Sequence, residues 1–138
     1  IQPKENEIYP VVGVLDSGIS KEISELNNWI IDDKYSPYLI TETDTSHGTF
    51  VSGIICFGDI FEGIEYTGIN GVKLFDAAII PSKKAFEIKE TTLIKNIQKA
   101  IKENPDIKIW NLSVSIDEEI NSDNFSDFAI ALDYLQDE

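Results

Sequence analysis

An aspartate and the single histidine of this chain are the side chains best suited to acid–base chemistry. Asp16 directly follows a continuous apolar run over residues 11–15 and precedes Ser17 and Gly18. Such a run predicts a parallel strand that is covered on both faces. Open α/β sheets place catalytic and binding groups at the carboxyl ends of such strands. Taken alone, however, Asp-Ser-Gly is equally consistent with a simple turn before a glycine.

The histidine, His47, lies 31 positions after Asp16, in the string Thr-Ser-His-Gly-Thr-Phe-Val-Ser-Gly of residues 45–53. The pattern predicts a helix from His47 to about residue 57. Its inward side is predicted to carry Val51, Ile54 and Ile55. The small residues of the string are expected to let the helix pack very close to the sheet, which would bring the imidazole near the end of the first strand; they are Gly48, Ser52 and Gly53. An isolated histidine would more often be a polar residue capping a helix, but this string favours a functional role.

The elements that would position these two residues alternate along the chain. Further strands are predicted at residues 28–31, 72–80 and 107–113, with a polar loop over residues 32–46. Apolar residues at i, i+3, i+4 and i+7 predict helices over residues 93–101 and 125–135. This alternation implies right-handed crossovers and a mainly parallel sheet, so the predicted class is α/β. We expect one domain over residues 1–138.

The composition excludes several classes of partner. Twenty-five acidic residues against eleven basic ones, all of them lysines, give a formal charge of -14, so no nucleic acid partner is expected. No apolar run approaches the roughly 18 residues of a membrane span, and the first residues do not have the order of a signal peptide. The localisation is therefore left unknown. A single cysteine excludes an internal disulfide.

These motifs together resemble those of the subtilisin-like (subtilase) serine proteases, which combine His-Gly-Thr-x-Val-x-Gly with an upstream Asp-Ser-Gly. Residues 68–80 resemble the family's Gly-Val-Ala-Pro turn and the strand after it. The Ile-Trp-Asn-Leu-Ser of residues 109–113 resembles the family's Val-Ile-Asn-Met-Ser strand. The resemblance covers residues 11–135 and implies the subtilisin-like three-layer fold.

The resemblance also implies roles for particular residues. His47 would be the general base of an Asp-His-Ser triad, and Asp16 would hold its other ring nitrogen. Ser113, Val114 and Ser115 would lie at the edge that pairs with an extended peptide or protein substrate. The family's chemistry requires no metal or other cofactor, and family members are usually secreted.

The chain also departs from the family pattern. Phe50 and Ser52 replace a usual histidine and alanine, which are common variants, whereas Ser115 replaces a glycine on the substrate-facing segment. Neither a Gly-Thr-Ser segment nor the Ala-Gly-Asn stretch with the oxyanion-hole asparagine occurs in the 138 residues. We therefore expect the chain to be the first half of a catalytic domain. A missing C-terminal half would supply the serine, and this chain alone would be inactive.

Two other functions are considered. A catalytically inactive, protease-like binding or regulatory module would explain the lack of the serine and the presence of Ser115. A phosphoacceptor receiver domain would explain an aspartate after a buried strand in an α/β sheet. It would also need further acids beside that strand, and it gives no reason for the histidine string.

The remaining candidate residues point to structure rather than to chemistry. The acidic stretches at residues 32–33 and 117–119 would suggest calcium, which many relatives bind, but they lack the spacing of a calcium loop. No metal site is therefore predicted. Cys56 is expected to be a small buried side chain, and Trp29 and Trp110 are expected to pack in the core.

Overall fold

The structure is a computed structural model that describes residues 2–61, 71–85 and 87–113. In this part of the chain four strands form one sheet in the order β2-β3-β1-β4, with all pairs parallel. The strands are β1 (Val11–Asp16), β2 (Ile30–Tyr35), β3 (Lys73–Ala78) and β4 (Ile109–Leu112). The helices are α1 (Ser24–Asn27), α2 (Ser46–Phe61) and α3 (Glu90–Glu103), with a 3₁₀ turn at Ile40–Glu42. The predicted α/β class with a parallel sheet is confirmed.

Strand β1 lies inside the sheet, between β3 and β4, which explains its continuous apolar sequence. Its register places Val14 opposite Asp76 and Asp16 opposite Ala78 on β3. On its other side Leu15 lies opposite Leu112 of β4. Since all the strands run in the same direction, their carboxyl ends meet at one edge of the sheet.

Helices cover both faces of this sheet. On one face, α1 and α2 enclose a core that we call the α2-side core: Tyr9, Val14, Ile19, Leu26, Trp29, Cys56 and Leu74. On the other face, α3 encloses the α3-side core: Leu15, Phe75, Ala77, Ile79, Leu93, Ile97 and Ala100. The three layers predicted from the family resemblance are therefore present. No helix in the described ranges is long and apolar enough to cross a membrane.

Most predicted elements are confirmed, but the loop predicted over residues 32–46 is wrong in two places. Strand β2 continues to Tyr35, and a 3₁₀ turn occupies Ile40–Glu42. The full length of β2 was not predicted because its sequence is polar. The strand tolerates polar residues because it lies at the edge of the sheet, where its middle residues are exposed. The short helix α1 was not predicted, and the helix predicted over residues 125–135 lies outside the described residues.

Two predictions about α2 are also wrong. Ile54 is half exposed rather than inward, because the buried stripe of the helix runs through Ser52 and Cys56. Gly53 does not allow close packing, since a Cβ at that position would meet nothing within 4 Å. Both tryptophans pack in the core as predicted. Trp29 lies edge-on to Tyr9, and Trp110 lies edge-on to Phe75.

Candidate active site

Asp16 is the last residue of β1 and stands at the carboxyl edge of the sheet. Its side chain is only 3% exposed. Its backbone carbonyl accepts a hydrogen bond from the Ile79 amide at 2.9 Å, and its Oδ1 accepts one from the Ser17 amide at 2.7 Å. These bonds fix both the backbone and the carboxyl group of Asp16 at the point where the strand ends.

The start of α2 is set by the residues just before it. The amide and the hydroxyl of Ser46 both donate to Asp44 Oδ1, at 3.1 and 2.7 Å. The hydrogen bonds from Ser46 lower the pKa of the exposed Asp44 carboxyl. The Thr49 amide then donates to the Thr45 carbonyl at 2.9 Å, as in a first helical turn. His47 is therefore the second residue of a helix whose beginning is well defined.

The first turn of α2 packs directly on the turn that follows β1. A Cβ at Gly48 would collide with the carbonyl oxygen of Gly18, so the two backbones are in contact. The Gly48 amide also donates to Ser17 Oγ at 3.1 Å. Gly18 itself has a φ of 103°, a conformation that glycine adopts without strain. The close approach predicted from Gly48 is thus confirmed, and Ser52 one turn later is fully buried.

This approach brings together the two residues singled out in the sequence. His47 Nδ1 lies 2.9 Å from Asp16 Oδ1 and 3.1 Å from Asp16 Oδ2. Because an ionised carboxylate can only accept, this arrangement corresponds to the tautomer in which Nδ1 carries the hydrogen. The carboxyl group is buried, whereas the histidine side chain remains 56% exposed. Among the described residues, Asp16 is the only hydrogen-bond partner of the His47 side chain.

Ser113 directly follows β4, and Leu112 pairs with Leu15, so the register puts Ser113 level with Asp16 at the same edge of the sheet. Its hydroxyl donates to Asn111 Oδ1 at 2.6 Å. Val114 and Ser115, the other two residues predicted to bind substrate, lie outside the described residues. Of the three, only Ser113 can therefore be located relative to the Asp16–His47 pair.

A comparison with protein families shows to which family the chain belongs. A model of the subtilase family, peptidase S8, matches residues 9–137. The chain belongs to the subtilase family. Subtilases are serine proteases, so membership implies hydrolytic chemistry on peptide or protein substrates. No curated protein and no solved structure matches the chain.

The interior of this subtilase domain also contains a carboxyl group that the sequence analysis missed. Asp76, in the middle of β3, is 6% exposed and lies on the same face of the sheet as α2. Burial raises its pKa, and the positive charges of Lys21 and Lys34 and a hydrogen bond from the Ile19 amide oppose that rise. The signal was available: Asp76 is the only charged residue between Leu74 and Ala78 in a strand that is otherwise apolar.

Other side chains of the subtilase domain do not contribute to this site. Cys56 is buried as predicted, and burial raises the pKa of its thiol to about 12, so it is an inert side chain at neutral pH. Within the described ranges no three potential ligands among His, Cys, Asp and Glu are grouped as a metal site. Asp32 and Asp33 lie exposed on β2, and the acidic stretch at residues 117–119 is outside those ranges.

Proposed function

We propose that this chain provides the acid–base half of an Asp-His-Ser triad that hydrolyses peptide bonds. The observation that carries this proposal is the contact of His47 Nδ1 with both oxygens of Asp16, at 2.9 and 3.1 Å. The buried carboxylate fixes the orientation of the ring and stabilises the imidazolium ion when the ring takes up a proton. The half-exposed ring leaves Nε2 available to the proton of a nucleophile.

The proposed nucleophile is a serine in a part of the native protein outside these 138 residues. The Gly-Thr-Ser segment of the family does not occur in the sequence, and the described structure offers no serine hydroxyl to the ring. In the proposed reaction His47 Nε2 accepts the serine proton while the serine oxygen attacks the peptide carbonyl. The same proton then passes to the leaving amine, and a water molecule releases the acyl group by the reverse roles. The chemistry uses no metal ion.

We further propose that an extended peptide binds along the segment Ser113, Val114 and Ser115. Main-chain hydrogen bonds to this segment would hold the peptide as an added strand. The register of β1 and β4 puts Ser113 level with Asp16, which supports this location for the peptide. The Ser113 hydroxyl is already bonded to Asn111, so the main chain rather than this side chain is the group available to the peptide.

Fluorophosphonate labelling tests the proposed function, because these reagents react with an activated serine. The samples are the native protein from its complete reading frame, its His47→Ala variant and the 138-residue chain. We expect the native protein to be labelled and the 138-residue chain not to be labelled. In the His47→Ala variant the rate of labelling should fall by a factor of about 10⁴ or more. Lys95→Ala, an exposed change on α3, serves as the control and should label normally.

The same experiment can reject the proposal. A folded native protein that does not label, or one that labels as strongly with His47→Ala, contradicts a triad built on this pair. The first of these results would favour the inactive binding module instead. Labelling of the 138-residue chain itself would contradict a serine supplied from elsewhere.

A further inference from the structure

The first turn of α2 has a backbone amide that is capped by a distant segment of the chain. The first helical bond runs from the Thr49 amide to the Thr45 carbonyl, so the amides before Thr49 need acceptors other than helix carbonyls. The Gly48 amide finds one in Ser17 Oγ, at 3.1 Å. Ser17 lies 31 positions earlier in the sequence. Part of the cap of α2 therefore comes from the turn that follows β1.

A second hydrogen bond joins the same two segments in the opposite direction. The Ser20 amide donates to Thr49 Oγ1 at 2.8 Å. Each segment thus supplies one amide donor and one hydroxyl acceptor to the other. We call the Gly48–Ser17 and Ser20–Thr49 hydrogen bonds the reciprocal bonds. Gly18, which lies between Ser17 and Ser20 in the chain, touches the Gly48 backbone directly, so the two segments are in contact as well as hydrogen-bonded.

Ser17 is bonded to the residues on both sides of the Asp16–His47 contact. Its amide donates to Asp16 Oδ1 at 2.7 Å, and the same oxygen lies 2.9 Å from His47 Nδ1. Because Gly48 follows His47 in the chain, the bond from the Gly48 amide to Ser17 Oγ closes a cycle that contains both members of the pair. The histidine side chain is 56% exposed, so packing alone holds it weakly. Its alignment then depends on how firmly its backbone is held.

We propose that Ser17 and Thr49 are positioning residues, whose hydroxyl groups hold the first turn of α2 on the turn after β1 and thereby keep His47 aligned with Asp16. This role rests on the proposed function, because alignment matters for catalysis only if the pair is catalytic. Small displacements of catalytic groups reduce rates strongly, so the reciprocal bonds have a functional consequence. Among the described residues neither hydroxyl group is hydrogen-bonded to the histidine ring, so both act through the backbone.

The test compares two double variants of the native protein. Ser17→Ala with Thr49→Val removes both hydroxyl acceptors and is the hydroxyl-free variant. Ser17→Thr with Thr49→Ser exchanges the two residue types, retains both hydroxyl groups and is the exchanged variant. The first readout is the NMR signal of the Nδ1–H proton on the His47 ring, assigned with His47→Ala. We expect this signal to be lost in the hydroxyl-free variant and retained in the exchanged variant.

The second readout is hydrolysis of a peptide substrate. We expect the hydroxyl-free variant to reduce kcat by about tenfold to a hundredfold with little change in KM, and the exchanged variant to keep most of the activity. The matched control is Ser24→Ala with Thr43→Val, which removes the same atoms away from the reciprocal bonds. These two hydroxyl groups donate to the Glu25 carboxylate and to the Ile40 carbonyl. The control should keep both the Nδ1–H signal and kcat.

Two results would overturn the positioning role: an unchanged Nδ1–H signal in the folded hydroxyl-free variant, or an exchanged variant as impaired as the hydroxyl-free one. A loss of stability with an unchanged signal would belong to the first result, since the two hydroxyl groups would then only cap the helix. If the hydroxyl-free double variant does not fold, Ser17→Ala and Thr49→Val are measured singly by the same criteria.

The proposed function fails in a different way. If the native protein neither labels nor hydrolyses peptides, the triad proposal is wrong, while the ring signal still reports whether the reciprocal bonds align His47 with Asp16.

Discussion

The two faces of the sheet differ in the kind of side chain they bury. The α3-side core consists of apolar residues, and the one buried polar side chain near it, Asn96, uses its amide hydrogens on the Ile79 carbonyl and the Tyr38 hydroxyl. The α2 side buries Asp16, Ser52 and Asp76. Two of their atoms, Ser52 Oγ and Asp76 Oδ1, have no hydrogen-bond partner in the described structure.

We infer from this difference that the α3 side contributes mainly to stability, whereas the α2 side combines an apolar core with the proposed catalytic pair. Apolar burial is the main favourable term in folding, whereas buried polar atoms without partners reduce stability. The α3 side therefore stabilises the fold without this cost, whereas the α2 side stabilises it less and places a buried carboxylate in contact with an imidazole. The comparison predicts that substitutions on the two faces will affect different measurements.

The largest effect on stability is expected from Ile97→Ala on α3. Ile97 is 1% exposed and lies within the α3-side core. Removing its side-chain carbons should lower the free energy of unfolding by about 2–5 kcal/mol, measured by urea denaturation followed by tryptophan fluorescence. Where the variant remains folded, the NMR signal of the Nδ1–H proton on the His47 ring, which reports its contact with Asp16, should be unchanged.

The matched control is Ile54→Ala on α2. The same change at this 50% exposed side chain should cost about 1 kcal/mol or less. Equal losses at the two positions would mean that another part of the native protein covers Ile54. A loss of the His47 signal in folded Ile97→Ala would contradict the separation of the two faces.

Much of the fold could be predicted from the sequence because local patterns and burial agree there. The apolar run of β1, the spacing of α3 and the small residues at the start of α2 each reflect one dominant constraint. The positions of Asp16 and His47 followed from these elements together with the family motif. The edge strand β2 was partly missed because half-exposed strands tolerate polar residues, so its sequence resembles a loop.

The finer features of the site could not be predicted, since they depend on contacts between distant segments. Gly48 and Gly53 look equivalent in the sequence, yet only Gly48 touches another backbone. Asp76 could be seen as an acid in an apolar strand, but its burial depends on the distant segments that pack over β3. Side-chain direction on α2 likewise separates Ile54 from Ile55.

Smaller effects on the free energy of unfolding are expected for two glycines of α2, Gly48 and Gly53. The two effects should have opposite signs. Gly48→Ala adds a methyl group that collides with the Gly18 carbonyl oxygen, so it should cost about 1–3 kcal/mol and reduce fluorophosphonate labelling. Gly53→Ala meets open space and should stabilise the protein by up to about 1 kcal/mol, because alanine favours the helix. Denaturation and labelling of both variants measure the difference. Equal behaviour of the two would contradict the close contact of α2 with the turn that follows β1.

The smallest expected effect is on the pH dependence of the free energy of unfolding, to which Asp76 contributes. Burial raises the pKa of Asp76 in the folded protein, although Lys21, the Ile19 amide and Lys34 oppose the rise. In the unfolded chain the carboxyl group ionises near pH 4, about its ordinary value. Below that pH Asp76 is protonated in both the folded and the unfolded state, so it does not make the free energy of unfolding depend on pH. As the pH rises towards the higher pKa of the folded state, the unfolded state releases its proton more readily, so stability falls.

Asp76→Asn removes this proton equilibrium while it keeps the size and shape of the side chain. We therefore expect the difference in stability between Asp76→Asn and the wild type to move in favour of the variant as the pH is raised above about 4. Urea denaturation of both proteins at several pH values measures this difference, and Asp106→Asn, at an exposed position, is the control that should give a constant difference. If the curves for Asp76→Asn and the wild type remain parallel, the carboxyl group of Asp76 is not buried as a protonated acid, and the contrast between the two faces then rests on Asp16 and Ser52.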